Sequence, residues 1–159
     1  MRLEVTLSGR CAKTYGDFSQ KVLKRAGEFF HRKEKTILSV SFVDDASMRA
    51  LNRRYRGKDK TTNVLSFSAP ASPAEKSARD LGDIVVSAPK AKKEAKENGW
   101  TIEYSFARLL VHGFLHLLDY DHVRRKDAKK MESLEEKILA GIFPKEKNKN
   151  KGHLWKEGA

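Results

Sequence analysis

The segment HGFLHLLDYDH, residues 112–122, puts histidines at relative positions one, five and eleven. Residues four apart on a helix lie one above the other on the same face, so His112 and His116 can present imidazole nitrogens to one ion at about 2.0–2.1 Å. A helix continued to position eleven would turn His122 to another face and carry it further along the axis. The chain must therefore turn between His116 and His122, and Leu118-Asp119-Tyr120 is the expected place, since Asp tolerates a left-handed backbone better than most residues. Three neutral histidines leave a fourth tetrahedral position open, as in catalytic zinc sites. Water bound there has a pKa of about 7 instead of about 15.7, and the metal can polarise a phosphoryl oxygen. One zinc ion is the expected cofactor. Asp119 and Asp121 serve either as acceptors that orient an imidazole or as turn residues. His31 and His153 fit no ligand spacing and are expected to be solvated.

These residues need a scaffold, and hydrophobic periodicity outlines one. Arg2 to Ser8 alternates as a strand, and Asp17 opens a helical pattern through Phe18, Val22, Leu23, Ala26, Phe29 and Phe30. Thr36 to Val43 is a β-branched strand ending in Asp44-Asp45, which caps a helix with Met48, Leu51 and Tyr55 on its apolar face. Gly57 stops that helix. Val64 to Phe67 is a short strand, Ala69 to Asp80 with Pro70 and Pro73 a surface loop, and Leu81 to Val86 a fourth strand. Ser87 caps a lysine-rich helix ended by Gly99. Thr101 begins the helix carrying His112 and His116, which is apolar nearly all round and therefore central. A last amphipathic helix runs from Arg124 to Ile142, and Pro144 closes it. Residues 1–144 are expected to form one catalytic domain, and 145–159 a basic, mobile tail with a possible anchor at Leu154-Trp155.

Composition narrows the class. The chain has 159 residues, 39% of them apolar, enough for one domain with a core. Its most hydrophobic stretch, Phe106 to Leu118, is too short and too interrupted to span a bilayer. Nothing in MRLEVTLSG marks export, so a cytoplasmic protein is expected, and the single Cys11 is expected as a small buried thiol in a reducing compartment. Lys plus Arg number 33 against 21 acids, a formal charge of +12, which favours polyanionic partners. No glycine-rich phosphate loop occurs, so no nucleotide cofactor is implied. Oligomeric state is not legible.

Metzincin proteases share the histidine spacing but carry a glutamate base directly after the first histidine, where this chain has Gly113. The sequence instead resembles the YbeY family of bacterial endoribonucleases, whose pattern H-G-x-L-H-L-x-G-Y-D-H is matched by HGFLHLLDYDH. The likeness continues through LNRRYRGKDKTTNVLSF, LGDIVVS and MESLEEKIL and covers most of residues 36–142. Two positions depart from the pattern: Asp119 stands where the family has glycine, and Thr61 where it usually has proline. The glycine of the family implies a positive φ at Asp119.

The resemblance implies a single α/β (α+β) domain with a mixed four-stranded sheet packed by helices, distantly zincin-like. It implies metal-dependent cleavage of single-stranded RNA, in 16S ribosomal RNA 3′-end maturation and ribosome quality control, with ribosomal RNA or ribosomal subunits as partners. Residue by residue it places the family's functional arginine at Arg56, and a guanidinium can grip two phosphate oxygens at once. Residues 49–60 hold six basic side chains against one acid, Asp59, and can track a phosphate backbone. Tyr55 either belongs to the core of its helix, as its position favours, or offers a stacking ring. Two other readings stay open: a metallohydrolase of peptides or small esters, and a ribosome-binding factor with a structural metal.

Overall fold

The computed structural model describes residues 1–70 and 78–144. Part of the expected loop around Pro73 and the whole expected tail, with His153 and Leu154-Trp155, lie outside them.

Four alternating segments form strands β1 (Arg2–Gly9), β2 (Lys35–Val43), β3 (Val64–Ser68) and β4 (Arg79–Ser87). They make one sheet in the order β1-β2-β4-β3, in which β1, β2 and β4 run parallel and β3 is an antiparallel edge. This is the mixed sheet the resemblance implies. The helices are α1 (Ala12–Glu28), α2 (Asp45–Arg56), α3 (Ala88–Asn98), α4 (Ile102–Leu117) and α5 (Arg125–Ile142).

The period of two along β3 and β4 sorts their side chains. Val64, Ile84 and Val86 join the main core with α4, whereas Leu65, Phe67 and Val85 meet Met48 of α2 on the opposite face. On the first face α4 is the centre: Phe106, Leu109, Leu110, Phe114 and Leu115 are fully buried. At roughly 1.5–3 kcal/mol for each such side chain, burial of α4 is a principal source of stability.

The starts of α2, α3 and α4 and the ends of α2 and α3 are where the sequence puts them. Asp44 accepts from the Ser47 N–H at 2.8 Å, Ser87 from Lys90 at 3.2 Å and Thr101 from Tyr104 at 3.1 Å. Each such cap is worth about 1 kcal/mol. Gly57 and Gly99 close α2 and α3 with φ of 68° and 66°. Thr61 has a use that proline would lack, because its hydroxyl donates to Asp45 Oδ1 at 3.3 Å, and the same oxygen accepts from Ser87 Oγ at 3.0 Å. One carboxylate thereby ties the start of α2 to the β4–α3 junction and to the segment before β3.

Helix α1 begins at Ala12, five residues before the expected Asp17. Its first turn has no side-chain cap, but Tyr15 stacks on Phe106 at 4.6 Å, and Leu7 fills the space a Cβ on Gly16 would occupy. Tertiary contact extends the helix through a weak helix former. Cys11, expected buried, is half-buried at this helix start.

Candidate metal centre

Helix α4 carries the first two histidines, and its C-terminus delivers the third. The Tyr120 N–H reaches Leu115 O at 3.0 Å and the Asp119 N–H reaches His116 O at 3.0 Å, a Schellman closure with Asp119 as its left-handed residue at φ 68°. Asp121 then accepts from the backbone N–H of His122 at 2.6 Å and of Val123 at 3.1 Å, fixing the returning loop. Burial works against its charged form, but these bonds prevail and hold its carboxyl below the usual range. As a result one ligand atom each from His112, His116 and His122 lies within 4.8 Å of the others. The Nε2 atoms of His112 and His116 are 3.0 Å apart. Such convergence of ring nitrogens is what an ion requires.

The electrostatics of His116 suit a neutral, ligand-ready ring. Burial first, and then the neighbouring His112 and His122 imidazoles, push the His116 pKa down to about 4. Behind His112 lies a carboxylate: His112 Nδ1 stands 2.5 Å from Glu135 Oε1, and both side chains are almost wholly buried. When Nδ1 donates to that oxygen, Nε2 carries the lone pair and faces the other histidines.

Gly113 has a steric reason. A Cβ there would meet Ile84 Cγ2 at 2.9 Å and Ser66 Oγ at 3.0 Å, so α4 lies with its backbone directly against β3 and β4. Ser66 Oγ donates to Gly113 O at 3.2 Å across the same contact. Any side chain at this position would press into the sheet at its first carbon.

The histidines open into a cleft of about 370 Å³ whose lining includes Arg56, Asn52, Ser66 and Val123. Arg56 Nη2 donates to Ser66 O at 2.9 Å, which lays the guanidinium along the free edge of β3. The turn after Arg56 is held on both sides. Asn52, itself buried, donates to Lys60 O at 2.8 Å, and Arg49 grips Asp59 through two bonds of 2.9 and 3.1 Å.

The family described as Endoribonuclease YbeY matches residues 7–142. The chain belongs to the YbeY family. A YbeY endoribonuclease of Rhizobium meliloti is 44% identical over 133 residues, 79% of each chain. Another, of Myxococcus xanthus, is 53% identical over 103 residues, 64% of this chain, which spans only 35% of that longer protein. A protein of Thermotoga maritima solved in solution is 22% identical with a TM-score of 0.61, covering 97% of this chain and 99% of the other, and shares the fold.

Against the YbeY motif, the structure brings His112, His116, His122 and Arg56 to one cleft, and leaves His31 exposed and remote from it. Two expectations need correction. Tyr55 is not core: it is 55% exposed and packs edge-on at 5.1 Å against Phe67, which lies on the edge strand β3. Arg49 is neutralised by Asp59, leaving five of the six basic side chains of residues 49–60 for other partners. Glu135 escaped the sequence reading, although a signal exists. In MESLEEKIL it falls four residues after Met131 and three before Ile138, on a buried stripe where an acid needs a partner.

Proposed function

We propose that the chain is a zinc-dependent endoribonuclease of single-stranded RNA that acts in the cytoplasm on the 3′ end of 16S ribosomal RNA and in ribosome quality control. The observation that carries this reading is the position of Arg56 in the same cleft as the three converging histidines. His112, His116 and His122 are the ligands, and a metal held by them supplies an activated water and a Lewis acid for the phosphoryl group. Glu135 keeps His112 in the tautomer that binds. Arg56, a permanent cation and hence no ligand, grips the scissile phosphate and offsets its growing charge.

A peptide substrate is disfavoured on two counts. No glutamate base follows His112, and Arg56 covers Ser66 O on the β3 edge, where an extended peptide would have to pair. The test is degradation of a defined single-stranded RNA by the purified protein with zinc restored after chelation, with analysis of the ends. Cleavage restored by metal and absent from a duplex of the same sequence is expected. Undiminished cleavage in excess chelator would refute the reading.

A further inference from the structure

Beside the cleft, but on the other face of the sheet, lies an aromatic pair that the reading above does not use. Ser66 faces α4, as its bond to Gly113 shows, so the next residue of β3, Phe67, faces α2. There its ring meets Tyr55 edge-on at 5.1 Å. Tyr55 is more than half exposed, although it ends the apolar stripe of its helix. Two cations border the pair: the Arg54 guanidinium is 5.3 Å from the centre of the Tyr55 ring, and that of Arg56 is 5.9 Å from the centre of Phe67. Arg56 thus reaches both the β3 edge, with its Nη2 at Ser66 O, and the Phe67 ring, with its Cζ over it.

We propose that Tyr55, backed by Phe67, is a stacking site for one nucleobase of a single-stranded RNA that bends around the β3 edge at Arg56. The inference rests on the RNA reading and adds a subsite to it. An exposed aromatic face bordered by guanidinium groups suits a flat base attached to an anionic backbone, and it suits any base, because each has a π face. A duplex, whose bases are already stacked and paired, cannot offer one. The site therefore contributes to single-strand preference by a route separate from the metal. Among the described residues β3 is the edge of the sheet, and no further strand stands in the way of the bend.

Binding to the full-length protein tests this, with metal chelated so that nothing is cut. A fluorescent oligouridylate and an abasic ribose-phosphate chain of the same length are compared by anisotropy. Tyr55→Leu, which keeps apolar cover over Phe67, is expected to weaken oligouridylate binding by about tenfold or more, the effect of losing one base–aromatic stack. Tyr55→Phe should bind like the wild type, and the abasic chain should bind the wild type and Tyr55→Leu equally, with unchanged thermal midpoints. Wild-type affinity of Tyr55→Leu for oligouridylate would overturn the subsite while leaving the RNA reading intact. Equal weakening toward the abasic chain would overturn it too, by showing that no base is involved. Failure of the wild type to bind either polymer would remove the RNA reading, and the subsite with it.

Discussion

The two halves of the cleft are built on opposite principles. On the α4 side, His112 pairs with the buried Glu135 of α5 at 2.5 Å, and the α4 backbone is pressed against the sheet at Gly113. On the α2 side, Arg56 is a solvent-facing side chain at a helix end, held by a bond to the β3 backbone, with the exposed Tyr55 beside the cleft. The first half suits a metal, which tolerates little error in ligand placement. The second suits a long, variable polymer, which needs charge and flat surface more than fixed geometry.

Substitutions should separate the halves. His116→Ala is expected to abolish metal binding and RNA cleavage together, as measured by metal analysis and by assay of the same preparation. Arg56→Ala should keep the metal and the fold while cleavage falls by about two to three orders of magnitude, the usual effect of losing one such electrostatic contact. Arg56→Lys should recover only part, since a point charge lacks the two-pronged grip. Full activity in Arg56→Ala would erase the distinction between the halves. Glu135→Gln is expected to weaken metal affinity by about 10–100-fold while the three ligands stay in place, read by competition with a chelating dye. An unchanged affinity would mean that packing alone orients His112.

The metal half should also show in acid. An unfolded histidine binds a proton near pH 6.5, while His116 in the folded, metal-free protein resists protonation to about 4. The unfolded chain therefore binds more protons in this window, and the stability owed to a neutral His116 is lost as the pH falls from about 6.5 toward about 4. Thermal midpoints of the metal-free protein should drop across that range, and more shallowly in His116→Gln. Identical slopes would show that His116 does not carry the effect. The smallest expected change is at the turn between the second and third histidines. Asp119→Gly should relieve a left-handed backbone and stabilise by no more than about 1 kcal/mol in denaturant titration, without altering cleavage.

What the sequence made legible divides along the same line. The ligand helix, its turn and the caps at Asp44, Ser87 and Thr101 are local: each depends on residues within a few positions, and spacing exposes them. The start of α1 depends on Tyr15 meeting Phe106, far along the chain, and periodicity could not show it. Glu135 is likewise a long-range partner, 23 residues from His112, recognisable only once α5 is known to pack on α4. Tyr55 misled because helical spacing tells which stripe a residue joins, but not that its partner there, Phe67, lies on the edge strand of the sheet.

The contact at Gly113 bears on redesign. Converting this centre to proteolysis by writing the missing glutamate after the first histidine is blocked by volume before chemistry enters, since Ile84 and Ser66 already fill the space that its first carbon needs. Ile84 and Ser66 would have to move first, which would loosen the seam that holds the metal-bearing helix in register. The activity of such a scaffold is therefore insulated from its nearest mechanistic neighbour by an intermediate sequence that packs worse than either end of the path.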